Sequence, residues 1–151
     1  MKTALTLIIV CLCITVFAQE NTIRRRNFNH TDGIAIKEFD PVSYFKDAPA
    51  KGDPKIYYQY KGIEYNFTSA ENMEEFKKTP AKFEPAYGGW CAFSMASGKQ
   101  VRVDPKTYKI INGKVYLFSN FGGINNLLKW NSEEKKLKES ADKHWARIMN
   151  F

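Results

Sequence analysis

Two stretches of the chain are rich in aromatic and β-branched residues on either side of a short turn. The first covers 56–67 and turns at Lys61-Gly62, and the second covers 108–118 and turns at Asn112-Gly113. Aromatic and β-branched residues are typical of strands, and a central glycine favours a two-residue connection. The pattern therefore predicts two β-hairpins.

Helical periodicity follows each hairpin. Thr68 and Glu71 form a capping box that opens an amphipathic helix after the first hairpin. Two further apolar stripes recur at helical spacing, one of Phe121, Ile124, Leu127 and Leu128, the other of Leu137, Ala141, Trp145 and Ile148. We expect an α+β fold, a small antiparallel sheet built from two hairpin-helix units with helices packed on one side.

The two hairpins also share residues. Gly62-x-x-Tyr65-x-Phe67-Thr68-Ser69 aligns with Gly113-x-x-Tyr116-x-Phe118-Ser119-Asn120. Two explanations stay open at this point, an old internal duplication and the common residue preferences of hairpin-helix units.

The N-terminus has the pattern of a secretory signal peptide. Lys2 precedes a mostly apolar run up to Phe17, and small residues at the −3 and −1 positions predict cleavage after Ala18. The run is shorter than the roughly 20 residues of a membrane span, which argues against an uncleaved anchor. We expect a signal peptide over 1–18, a flexible tail over 19–33 and a single domain over 34–151. The predicted location is periplasmic or secreted, with no transmembrane segment in the mature chain.

The formal net charge is +7, and removal of Lys2 with the leader leaves +6. Basic patches can bind nucleic acid or an anionic membrane surface, or they can only keep a protein in solution. Export argues against nucleic acid as a partner.

Removal of the leader would leave one cysteine, Cys91, in the segment Tyr87-Gly88-Gly89-Trp90-Cys91-Ala92. A single thiol cannot close an internal disulfide, so it is buried and inert, a metal ligand, a redox nucleophile or half of an intermolecular bridge. The glycine pair could deliver Cys91 into the first turn of a short helix, where backbone N–H groups favour a thiolate.

Two other side chains are candidate partners of this sulfur in a metal site. Met95 lies four residues after Cys91, at the spacing that shares a helical face, and thioether plus thiolate suits a soft ion such as copper. His144 borders the apolar stripe of the last helix. The alternative is that Met95 fills the core and His144 lies at the surface.

Asp40 and Asp104 each precede a proline. They are interpreted as caps of short turns rather than as carboxylate ligands.

An ordered set of positions resembles the YHS-domain family, in particular its exported single-domain branch, over roughly residues 33 to 148. The set runs Tyr60-x-Gly62-x-x-Tyr65-x-Phe67-x-Ser69-x-Glu71-Asn72, then Phe76, Pro80, Lys82-Phe83, Pro85 and Tyr87-Gly88-Gly89-x-Cys91-Ala92. The resemblance implies association with a metal, usually through paired cysteines near the hairpin. In this chain Tyr65, Phe67, Ser69 and Asn72 stand at those places. Some relatives carry selenocysteine at the position of Cys91, which points to redox chemistry.

Three functions therefore remain open. The first is an exported YHS-like domain that binds a soft metal ion such as copper through Cys91, with Met95 and His144 as further ligands and a metal donor or acceptor as partner. The second is a thiol-based redox protein in which Cys91 is the catalytic nucleophile and an external thiol resolves it. The third is a non-catalytic protein-interaction module.

Overall fold

The computed structural model describes residues 19–46 and 48–149, and the chain has an α+β fold. The predicted signal peptide lies outside the described residues. Within 19–46 and 48–149, no helix is long and apolar enough to cross a bilayer.

The eight described strands form three small sheets rather than one. The strands are β1 (His30–Thr31), β2 (Ile34–Ala35), β3 (Asp53–Tyr60), β4 (Ile63–Phe67), β5 (Asp104–Ile111), β6 (Lys114–Phe118), β7 (Asn120–Phe121) and β8 (Ile124–Asn125). One sheet has the order β1-β2-β4-β3, with β2 parallel to β4, and the β5-β6 and β7-β8 pairs stand separately.

Both predicted hairpins, β3-β4 and β5-β6, are confirmed. Each turns through two residues with positive φ, Lys61-Gly62 and Asn112-Gly113, as a type I′ turn requires.

The described helices are short except at the C-terminal end. They are α1 (residues 19–27), α2 (Ala70–Lys78), α3 (Pro80–Phe83), α4 (Ala92–Met95), α5 (Asn126–Ser132) and α6 (Glu134–Met149), with 3-10 turns at Ile36–Glu38, Ser43–Phe45 and Ala86–Gly89. The capping box is replaced by Ser69, whose hydroxyl accepts the Asn72 N–H.

The predicted stripe of Phe121, Ile124, Leu127 and Leu128 does not form one helical face. Phe121 and Ile124 pair across the β7-β8 hairpin, and α5 begins only at Asn126. Gly122 and Gly123, both with positive φ, make the turn that interrupts the helix.

The flexible tail predicted over 19–33 is also corrected. These residues form α1, β1 and the turn into β2, and Arg24 is buried against the domain, where it pairs with Glu84. The prediction missed this because a polar helix whose main anchor is one buried ion pair has no apolar stripe.

The structure favours duplication as the explanation of the repeat, with an offset of 51 residues through the left-handed turn and the hairpin and of 54 residues in the helix that follows. Ile36, Lys37 and Glu38 have φ of 54°, 51° and 71°, and their counterparts Tyr87, Gly88 and Gly89 have 55°, 58° and 83°. The hairpins share one register, with the same irregularity after Asp53 and after Asp104. Three consecutive left-handed residues are uncommon, so their recurrence at matched positions marks a common unit.

Each copy has an equivalent aromatic core. Phe76 of α2 lies 4.9 Å from Tyr65 and 5.3 Å from Phe67, measured between ring centroids. Trp130 of α5 contacts the counterparts of those two rings, Tyr116 at 6.0 Å and Phe118 at 5.5 Å. Phe76 and Trp130 are both fully buried.

Candidate functional site

Cys91 lies at the junction of the left-handed turn, α4 and β6. It is the N-cap residue of α4, separated from the Ala86–Gly89 turn by Trp90, and bridges Leu117 of β6 in parallel register. Its own N–H donates to the Val101 carbonyl oxygen at 3.0 Å. The residue has no exposed surface, so the predicted first-turn position is corrected by one residue and the thiol is enclosed.

The sulfur of Cys91 is surrounded by hydrogen-bond donors. The Ser119 backbone N–H lies 3.3 Å from Sγ, the Ser119 hydroxyl 3.6 Å and the Asn126 side-chain amide 3.9 Å. The same amide donates to the Ser119 hydroxyl oxygen at 2.6 Å. Donors of this kind favour the thiolate over the thiol, because only the thiolate is a strong acceptor.

The balance of these effects places the pKa of Cys91 below its ordinary value. Burial alone would raise this pKa, but hydrogen bonds from Ser94 and Ser119 together outweigh it. Ser94 lies three residues after Cys91, in α4. Hydrogen bonds therefore stabilise the thiolate of Cys91 relative to that of an ordinary cysteine.

The first copy holds a carboxylate in the same surroundings. Asp40 stands 51 residues before Cys91, and its Oδ2 accepts the Thr68 N–H at 2.9 Å and the Thr68 hydroxyl at 2.8 Å. The Asn72 side-chain amide completes the set at 2.6 Å. Thr68 is the counterpart of Ser119, and Asn72 occupies the place that Asn126 has in the second copy.

Asp40 is fully buried, as Cys91 is. A buried carboxylate needs such partners, since burying an unpaired charge is costly. Its other oxygen accepts the Val42 N–H at 2.7 Å, which confirms the predicted turn cap. The matched donors show that this unit of the fold accommodates an anion at the position that Cys91 occupies in the second copy.

Glycine at position 88 is explained by packing rather than by backbone angle. Lys37, its counterpart, adopts nearly the same positive φ with a side chain. A Cβ on Gly88, however, would lie 2.8 Å from the Trp145 ring and 2.9 Å from the Phe28 ring. The absent side chain lets α1 and α6 close over the turn that leads to Cys91.

The other two predicted metal ligands, Met95 and His144, lie in surroundings that differ from each other. Met95 is fully buried one turn after Cys91, and its N–H donates to the Cys91 carbonyl oxygen at 2.9 Å. The His144 ring packs against Gly98, and its Nδ1 lies 2.9 Å from the Ser140 carbonyl oxygen. In the described part of the chain, no three His, Cys, Asp or Glu residues form a group that could hold a metal ion.

Sequence reasoning missed the two residues that surround the sulfur, Ser119 and Asn126. Ser119 was visible as the counterpart of Thr68, but neither was connected with Asp40 or Cys91. The signal was the equal spacing of Asp40 to Thr68 and of Cys91 to Ser119, which is 28 residues in both cases.

Comparison of the chain with protein-family models, with curated proteins and with solved structures found no match. The resemblance to the YHS-domain family therefore stays a prediction.

Proposed function

We propose that this chain is an exported, YHS-like thiol protein in which Cys91 is the nucleophile of thiol–disulfide exchange. The observation that carries the proposal is the donor set of Ser119 and Asn126 around the sulfur, which matches the set around the Asp40 carboxylate. A thiolate is the reactive form of cysteine.

The reaction needs one external disulfide and one external thiol. The Cys91 thiolate attacks one sulfur of the disulfide, forms a mixed disulfide with it and releases the other sulfur as a thiolate, which takes a proton from water. An external thiol then attacks the mixed disulfide and leaves as the new disulfide, which returns the Cys91 thiolate. No second cysteine of the domain is required.

Access to the sulfur would pass through the segment between its two donors. Ser119 and Asn126 are seven residues apart, whereas Thr68 and Asn72 are four apart. The longer segment forms the β7-β8 hairpin, whose Phe121 and Ile124 are 51% and 54% exposed. Displacement of the half-buried Asn126 side chain would open the sulfur to a partner seated on this hairpin.

The test is the reaction of the native protein with cystamine and with oxidised glutathione, followed by intact-mass spectrometry. We expect one mixed disulfide per chain, formed without denaturant and absent in Cys91→Ser. The rate should rise with pH and level off below the ordinary thiol pKa of 9.0. A sulfur that reacts only in denaturant would refute the proposal.

Soft-metal binding through Cys91, Met95 and His144 stays a prediction with a separate readout. Native mass spectrometry with Cu(I) on the wild type and on Cys91→Ser distinguishes it from thiol exchange. A tightly held ion lost in Cys91→Ser, together with no mixed disulfide, would favour the metal function over the one proposed.

A further inference from the structure

A cleft of about 430 Å³ lies on the face of the molecule formed by α1, the Ala86–Gly89 turn, β6 and α6. This volume falls within the range typical of small-molecule sites. Its walls combine an aromatic part with a group of charged side chains. The residues that matter here are Arg24, Phe28, Glu84, Lys114, Asp142 and Trp145.

The aromatic part is a set of contacting rings. Phe28 and Trp145 lie 5.7 Å apart between centroids, and Tyr87 lies 6.5 Å from Trp145. Phe28 and Trp145 pack closely over Gly88, since a Cβ there would lie 2.9 Å and 2.8 Å from the two rings. The Phe28 and Trp145 rings are inclined by 58° to one another, so they offer an edge as well as a face to an aromatic ligand.

Both carboxylates of the cleft already have partners. Glu84 accepts from the Arg24 guanidinium with both oxygens and from the Tyr65 hydroxyl at 2.5 Å. Asp142 accepts the Tyr87 hydroxyl at 2.8 Å, and its other oxygen accepts Lys138 at 2.7 Å. Neither acid is left to hold a cationic ligand.

Lys114 is a cation of the cleft with unused hydrogen-bond donors. Among the described residues its ammonium donates to one acceptor, the Ala81 carbonyl oxygen, at 2.7 Å. An ammonium carries three N–H donors, so two remain. Burial, with Arg24 nearby, lowers the pKa of Lys114 although Glu84 opposes the change, and a bound anion would relieve that cost.

We propose that this cleft binds a small organic monoanion, a flat apolar ring system bearing one carboxylate. The carboxylate would accept hydrogen bonds from Lys114, and the rings would lie against Phe28 and Trp145. A single negative charge is favoured because Glu84 is already paired with Arg24 and Asp142 with Lys138, which leaves Lys114 without a carboxylate partner among the described residues. The site does not involve Cys91 and stands apart from the proposed thiol exchange.

The test uses naphthoate as the probe and the neutral naphthamide as its uncharged match. Binding is followed by NMR on the indole N–H signals, which are assigned with Trp145→Leu. We expect the Trp145 signal to move with naphthoate while those of Trp90 and Trp130 stay, since the latter two lie outside the cleft. Naphthamide should bind at least about tenfold more weakly, as expected for loss of a charge-assisted hydrogen bond.

Three variants complete the experiment. Lys114→Met keeps the length of the side chain and should weaken naphthoate binding about tenfold without changing naphthamide binding. Lys106→Met removes an exposed lysine of β5 outside the cleft and should leave both affinities unchanged. Equal affinity for the two probes, or equal loss in Lys106→Met and Lys114→Met, would overturn the proposal.

Discussion

Replacing Ser119 by alanine should raise the pKa of the Cys91 thiol while leaving the fold intact. The substitution removes the hydroxyl 3.6 Å from the sulfur and keeps the backbone N–H at 3.3 Å. A hydrogen bond to a charged group contributes about 1.5–3 kcal/mol, and this long contact belongs at or below the lower end. Since about 1.4 kcal/mol corresponds to one pKa unit, we expect a rise of about 0.5–1 unit.

The assay is the ultraviolet absorbance of the thiolate as a function of pH, with Cys91→Ser as the blank. This readout needs no reagent to reach the buried sulfur. Thr68→Ala is the matched control, because it removes the equivalent hydroxyl from Asp40 in the first copy. It should lower stability and leave the thiol pKa unchanged.

The same shift must appear in the pH dependence of stability. A thiol whose folded pKa lies below the unfolded value of 9.0 stabilises the native state above that value, and the contribution is lost as pH falls through the folded pKa. The free energy of unfolding of the wild type should therefore exceed that of Ser119→Ala by more at alkaline than at neutral pH. An unchanged thiol pKa in a folded Ser119→Ala protein would refute the role assigned to the donor set.

Two further substitutions test the packing around the site. Gly88→Ala should destabilise the protein by about 1–3 kcal/mol because the added Cβ overpacks against two rings. Lys37→Gly, at the equivalent left-handed position, should stabilise it by about 0.5–1 kcal/mol. Denaturant unfolding measures both changes, and a loss in Gly88→Ala no larger than the gain in Lys37→Gly would show that the backbone angle rather than packing requires the glycine. Arg24→Met should cost about 3–5 kcal/mol because it leaves the buried Glu84 carboxylate without its cation. Lys136→Met, which breaks an exposed ion pair, should have almost no effect in the same assay, and a similar loss in both variants would contradict the burial argument.

Local pattern was enough for the elements that depend on neighbours in sequence. The hairpins of 53–67 and 104–118 form where aromatic and β-branched runs flank a turn with positive φ, because both requirements are met within about a dozen residues. The same reasoning failed at Phe121 and Ile124, whose helical spacing was overridden by Gly122-Gly123.

Residue order by itself determined the α+β class, the two hairpins and the choice of Cys91 as the thiol of interest. Only the tertiary structure decided what surrounds that thiol. Ser119 and Asn126 are 28 and 35 residues away from Cys91 along the chain, and they reach it because β6 and α5 pack against α4. Hydrogen bonds across such separations depend on how elements pack in three dimensions, which one-dimensional periodicity does not record.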